Sequence, residues 1–226
     1  MTKKKSNSKE TILVLCAHPD DEILGPGATI AKYAQEGKQV MTIIYSYGEG
    51  GNWWLKKGYT RDLRVRECKK AGAVVGTTET IFLGFKDLAL KQEIEKPEVL
   101  DQIEQLIKKY RPVRIFTHSE DDIVYSDHKA VHDSVIKVLK KMKYKGDLYV
   151  FNIWGKDLRA SDKPKLLVDV SETFKLKIKA LKEFKSQRLL VMWQLLPGIY
   201  FRAIKNGLEN KCRFAEKFAK VNLEEE

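Results

Sequence analysis

What constrains this chain most is the alternation of short apolar, β-branched runs with longer amphipathic segments. Thr11 to Ala17 is a run of the first kind, Ala28 to Glu36 closed by Gly37 has helical periodicity, and Gln39 to Ser46 is apolar again. That order is strand, helix, strand. It continues with a helix over about Arg61 to Val75, a strand at Ile81 to Leu83, a helix from Pro97 to Tyr110 and a strand at Val113 to His118. Pro97 suits a first helical turn, and Arg111-Pro112 suits a helix stop. A helix from about Asp127 to Met142, strands at Leu148 to Ile153 and Lys165 to Val170, and a helix from Glu172 to Ser186 follow. The pattern predicts an α/β, Rossmann-like three-layer sandwich with a mainly parallel sheet. The run Leu189 to Ile199, which contains Pro197-Gly198, reads either as a loop lining the site or as a short helix against the core. With no repeat and no linker, the 226 residues are expected to form a single domain over 1–226, with 1–10 and 222–226 as frayed tails.

Open α/β sheets bind ligands beyond the carboxyl ends of their strands, where strand order reverses; in the Rossmann order this lies between the first and fourth strands. Here the first strand runs into His18-Pro19-Asp20-Asp21-Glu22. The fourth runs into His118-Ser119-Glu120-Asp121-Asp122, and Asp127-His128 opens the next helix. Two distant His/Asp clusters are thereby brought together. A dinucleotide site is the rival, because Gly25-Pro26-Gly27 precedes the first helix. Position 30 is Ile30, however, so no G-x-G-x-x-G exists, and carboxylates in the preceding loop would repel a pyrophosphate. A cation suits this loop better. Imidazole and carboxylate are the donors of catalytic zinc, which keeps a position open for water. Such a site lowers the pKa of that water, and a nearby carboxylate takes the proton as a carbonyl is attacked. Adjacent Asp20 and Asp21 can divide these tasks, since consecutive side chains in a turn point in different directions.

Ala17-His18-Pro19-Asp20-Asp21-Glu22 resembles the signature loop of the LmbE-like, or PIG-L, deacetylases, which remove acetyl groups from N-acetylglucosamine-containing glycoconjugates. The resemblance implies that His18 and Asp21 ligate Zn2+, that Asp20 is the general base and that Glu22 supports the loop. A second family motif matches Asp127-His128 and implies His128 as the third ligand. Gly48-Glu49-Gly50-Gly51, Arg64-x-x-Glu67 and Leu83-Gly84-Phe85-Lys86-Asp87 look like the family's substrate loop, arginine helix and aspartate loop, which implies substrate-binding roles for Glu49, Arg64 and Asp87. The likeness spans about Thr11 to Leu139, with an echo at Ser186-Gln187.

The resemblance implies a zinc-dependent hydrolase that removes an acetyl group from an N-acetylated amino sugar or glycoconjugate. Its alternative is a catalytically weak or silent metal- or glycan-binding member of the same fold. One departure bears on that choice: where the family has a histidine three residues before the ligand histidine, this chain has Tyr125. A phenol donates a hydrogen bond to an oxyanion, but with a pKa of about 10 it shuttles protons poorly at neutral pH. Either Tyr125 takes a reduced form of the catalytic role, or His118 or His132 reaches in, or the enzyme is slow or inactive.

Each of these residues has a plainer explanation to set beside the functional one. His18 could be a turn histidine, and Asp20 or Asp21 a cap for the following helix, although capping needs one short polar residue rather than a His followed by three acids. His132 reads as a packing or surface residue, and His118 either lines the pocket or satisfies backbone groups. Arg64 could pair with Glu67 along its helix. Asp87 could merely form a turn. Trp53 and Trp54 suit a flap that stacks on a sugar, or equally a packed aromatic loop.

Composition excludes several classes. Charged residues make up 32% of the chain, and no apolar run approaches the ~20 residues of a membrane-spanning helix, so no integral membrane association is expected. Three cysteines without C-x-x-C spacing and no signal-like N-terminal stretch fit a cytoplasmic protein. The net charge of +11 is spread over lysine-rich helix faces such as Lys137 to Lys145 and Lys175 to Lys185, without interleaved aromatics, so no nucleic-acid partner is expected. The expected partner is a small N-acetylated sugar; a homo-oligomer is left open.

Overall fold

The computed structural model describes residues 9–50, 56–122, 126–154, 164–188 and 193–224. In chain order the elements are β1 (Thr11–Cys16), α1 (Asp21–Leu24), α2 (Gly27–Gln35), β2 (Gln39–Ser46), α3 (Lys57–Val75), β3 (Glu79–Phe85), α4 (Leu90–Glu93), α5 (Pro97–Tyr110), β4 (Arg114–His118), α6 (Ser126–Lys141), β5 (Asp147–Phe151), β6 (Lys165–Asp169), α7 (Phe174–Leu181), α8 (Trp193–Glu209) and β7 (Ala215–Lys220). The strands form one sheet in the order β3-β2-β1-β4-β5-β7-β6. The first five in that order run parallel, and β7 is antiparallel to both of its neighbours.

β1 is buried along its whole length, as a strand covered on both faces must be. Its alternate side chains enter two cores. Ile12, Val14 and Cys16 pack with α2, α3, α7 and α8; Leu13, Leu15 and Ala17 pack with α4, α5 and α6. Helices on both faces of a mainly parallel sheet make three layers, the α/β architecture expected. α5 starts at Pro97 and closes on Arg111 in the left-handed region, just before Pro112. Among the described residues no helix is long and apolar enough to cross a membrane.

Three features differ from the sequence reading. α1 and α4 are single turns, too short to show a period. The described part of Leu189 to Ile199 belongs to a helix that continues to Glu209; Pro197 lies near its start, and Ile199 and Ala203 face the core. β7 was not anticipated. Its Glu216 and Lys217 are buried charges, each held by an ion pair, with Lys177 and Glu209 respectively, so its sequence lacks the apolar alternation of a strand. Lys177 likewise departs from a solvated lysine face, since it is 4% exposed.

Candidate active site

Because β1 and β4 are neighbours, the segments that leave their carboxyl ends meet. The Ala17 N–H donates to Nε2 of His118, the last residue of β4, at 3.1 Å. Beyond it the chain turns sharply, and Asp20 sits at φ 124°, ψ −27°. That conformation costs a non-glycine residue about 1–3 kcal/mol and persists only when its surroundings fix it. The Asp20 N–H donates to Glu22 Oε2 at 3.0 Å, and its carbonyl accepts from the N–H groups of Ile23 and Leu24 at 2.9 and 2.8 Å. Arg64 of α3 donates to the Asp20 carboxylate at 3.1 Å, to the Pro19 carbonyl at 2.5 Å and to the Gly48 carbonyl at 3.0 Å. Gly48 is at φ +63°, and a Cβ there would lie 2.4 Å from the guanidinium, so glycine is what lets Arg64 close over the loop.

His18, Asp21 and His128 converge, with one donor atom from each within 4.8 Å of the others. His18 Nδ1 is 3.6 Å and His128 Nε2 is 3.5 Å from Asp21 Oδ2. The far nitrogen of each ring faces a carboxylate: His18 Nε2 lies 3.0 Å from Asp87 and 3.4 Å from Asp127, and His128 Nδ1 lies 3.1 Å from Asp122. A ring that gives its far N–H to a carboxylate turns the lone pair of its other nitrogen toward the Asp21 carboxylate, as metal-ligating histidines do. Two further groupings, His118-Asp122-His128 and His18-Asp87-Asp127, are as compact. The first is sealed in the interior, where Asp122 also accepts the N–H groups of Ile153 and Trp154, each at 3.0 Å. The second uses the far side of His18. The imidazole and carboxylate donors of His18, Asp21 and His128 could hold a metal ion.

The electrostatics of the cluster favour positive charge beside its carboxylates. Burial works against the charge of Asp21, but the His128 and His118 imidazoles outweigh it and hold its carboxyl well below the usual range. For Asp20 burial wins over Arg64 and raises the pKa to about 7. Burial would lower the pKa of His128, yet Asp21 and Asp122 raise it to about 9, and the carboxylates around His18 raise that ring well above its ordinary value.

The other anticipated residues fall as follows. Asp87 touches His18 and accepts the Gly50 N–H at 2.7 Å, while Glu49 accepts the Asp87 N–H at 3.3 Å; both lie on the β2 and β3 side of His18. Arg64 reaches the loop rather than Glu67, whose carboxylate takes the N–H and hydroxyl of Ser186 at 3.0 and 2.5 Å. Tyr125, Trp53 and Trp54 lie outside the described residues. His118 is fully buried, stacked on His128 at 3.9 Å, with its Nε2 3.2 Å from Asp21 Oδ2, so it borders the ligand carboxylate from the interior; His132 Nδ1 donates to the His118 carbonyl at 2.8 Å. Glu22 accepts from Asp20 and from the Cys68 thiol, and burial pushes its pKa to about 8. Asp122 is the residue that reading the sequence did not single out. Its only signal there was membership of the acidic run after β4.

A doubly wound sheet with a His/Asp cluster at its strand-order reversal defines a class of α/β protein whose ligand site lies at the carboxyl ends of β1 and β4, here with side chains that could hold a metal ion. Within that class the chain belongs to the PIG-L family, whose profile, described as GlcNAc-PI de-N-acetylase, matches residues 13–139. It is 28% identical over 183 residues to a probable N-acetyl-alpha-D-glucosaminyl L-malate deacetylase 2 of Bacillus cereus, covering 78% of this chain and 83% of the relative. Among solved structures, the N,N'-diacetylchitobiose deacetylase from Pyrococcus horikoshii superposes with a TM-score of 0.79 at 19% identity, covering 95% of this chain and 84% of that one. The 4-carboxy-2-hydroxymuconate hydratase from Pseudomonas putida KT2440 superposes with a TM-score of 0.75 at 17% identity, covering 94% and 96% of the two chains. A hydratase among the neighbours means that the fold does not fix the reaction. The site must.

Proposed function

We propose that this protein is a zinc-dependent N-deacetylase that hydrolyses the acetamido group of a small N-acetylated amino sugar or glycoconjugate. The observation that carries the reading is the convergence of His18, Asp21 and His128, one donor atom from each within 4.8 Å of the others, beside the buried Asp20 that Arg64 holds. Asp21 is an ionised ligand between two imidazoles, whereas Asp20 is a buried, strained carboxyl whose pKa is raised to about 7. His18, Asp21 and His128 would hold the zinc ion, which when bound polarises an amide carbonyl and acidifies water beside it.

Asp20 takes the proton of the attacking water. A cation at the neighbouring ligands favours its ionised form, and the bond from Arg64 fixes its direction. Once protonated, Asp20 is placed to return that proton to the leaving amine nitrogen. Tyr125 donates to the oxyanion in place of the family's histidine. Asp87 and Asp122 orient the two ligand imidazoles, and Glu49 and Asp87 face the side from which a sugar would enter.

The test is acetate release from a panel of N-acetylglucosaminides by zinc-loaded protein, alongside elemental analysis of His18→Ala, Asp21→Ala and His128→Ala. Release by the wild type and zinc loss in each variant are expected. Full zinc retention in His18→Ala and His128→Ala would overturn the ligand set; tight sugar binding without acetate release would overturn the activity.

A further inference from the structure

The turn Gly25-Pro26-Gly27 joins α1 to α2, and a buried lysine is seated on it. The Lys177 ammonium, carried into the interior by α7, donates to the carbonyls of Leu24 and Gly25, both at 2.8 Å, and to Glu216 Oε1 at 2.7 Å. Glu216, from β7, in turn accepts the N–H groups of Ala28 and Thr29 at 3.2 and 2.8 Å. Helix ends leave carbonyls unsatisfied at the C-terminus and N–H groups unsatisfied at the N-terminus. One ion pair thus satisfies the end of α1 and the start of α2 together, with the cation on the carbonyls and the anion on the N–H groups.

Gly27 borders Ile23 and the lysine stem, and Gly25 borders Phe151. A Cβ on Gly25 would lie 2.4 Å from the Phe151 ring, and one on Gly27 would lie 3.3 Å from Lys177 Cγ. The Thr173 hydroxyl at the start of α7 adds a bond to the Ala28 carbonyl at 2.9 Å.

α1 is a single turn from Asp21 to Leu24, and the Gly25 N–H donates to the Asp21 carbonyl at 2.8 Å. The group seated by Lys177 is therefore one hydrogen bond from the backbone of a metal ligand, and the strained Asp20 precedes it directly. We propose that Lys177 and Glu216 are positioning residues for the metal loop, holding α1 so that Asp20 and Asp21 keep their places. Both lie outside residues 13–139, the stretch that matches the family profile. The inference rests on the assignment of His18, Asp21 and His128 as a zinc site.

The experiment measures zinc affinity of the full-length protein by chelator competition, with folding checked by circular dichroism and thermal melting. The set is wild type, Asp21→Ala, Lys177→Met, Glu216→Gln, the double variant Lys177→Met/Glu216→Gln, and the core control Ile103→Ala. Removing one partner of a buried pair strongly destabilises, whereas removing both is often tolerated. The double variant should therefore melt higher than Lys177→Met, yet still bind zinc about tenfold or more weakly, the scale of losing an outer-shell support. Ile103→Ala should melt lower than the wild type with wild-type zinc affinity.

Wild-type affinity in the folded double variant would overturn the positioning role. So would an equal loss of affinity in Ile103→Ala, which would make the effect one of general stability. If Lys177→Met does not fold, Glu216→Gln and the double variant are judged by the same criterion. Failure of the zinc assignment itself reads differently, as retention of zinc by Asp21→Ala or absence of zinc binding by the wild type.

Discussion

Asp20 and Asp21 are chemically identical neighbours, and the fold gives them different protonation. Asp21 points between His18, His118 and His128 and stays ionised; Asp20 is turned away by its positive φ toward Arg64, and burial dominates its pKa. On the proposed mechanism Asp20→Asn removes the proton acceptor but no ligand, so turnover should fall by about 10²–10⁴-fold with zinc content unchanged. Zinc content by elemental analysis and initial rates on the same sample check this, and loss of zinc would make Asp20 a ligand. Asp122 acts one step further out. Asp122→Ala leaves His128 without the carboxylate at 3.1 Å, and zinc affinity should drop by about 10–100-fold in chelator competition, with unchanged affinity as the contrary result. The difference in legibility between these aspartates has a physical cause. Asp20, Asp21 and His18 act within one turn of chain, so their spacing shows in the sequence. Asp122 works through His128 and the N–H groups of Ile153 and Trp154, contacts that exist only once β4 and β5 have paired.

At the scale of elements, β1, β2 and β4 were readable as continuous apolar runs buried on both faces, and α5 and α6 by their helical period. β7 was not, because pairing rather than side-chain polarity makes its charges compatible with burial, and the partners Lys177 and Glu209 sit on other elements. The segment leading into α6 matters most for the chemistry. The family resemblance puts Tyr125 where an imidazole is expected; His132 is tied to the His118 carbonyl, and His118 is buried with its Nε2 taken up by the Ala17 N–H and 3.2 Å from Asp21. The oxyanion donor is then expected from Tyr125. Tyr125→Phe should cost about 2–4 kcal/mol in transition-state stabilisation, with substrate binding little changed. Tyr125→His should raise activity, since Asp127 lies at the start of the same helix. Rates and zinc content of both variants decide it: an unchanged rate in Tyr125→Phe together with no gain in Tyr125→His would place the donor elsewhere.

For the whole molecule, the proposed zinc site implies that a metal ion and protons compete for the same buried charge. Without metal, the folded protein holds His128 at about 9 against an ordinary value of 6.5, Glu22 at about 8 against 4.5 and Asp20 at about 7 against 3.8. Burial drives the last two, and Asp21 and Asp122 overcome burial for the first. All three are raised in the folded state, so each contributes stability that is complete below its unfolded value and is lost as pH rises through its folded one. Asp21, Asp87 and Asp122 are shifted down despite their burial, mainly by the neighbouring imidazoles, and their contribution disappears only as pH falls below about 3.8. The two windows do not overlap. Metal-free protein should therefore melt at progressively lower temperature from about pH 6 to 9. Zinc needs His128 neutral, so its uptake expels protons, and its affinity and the rise in Tm it produces should grow across the same interval. Thermal melts with and without zinc test the stability side. Titration calorimetry in buffers of different ionisation enthalpy tests the proton release, and a zinc-induced Tm gain that stays flat from pH 6 to 9, with heats independent of buffer, would show that the cluster is not proton-loaded in the absence of metal.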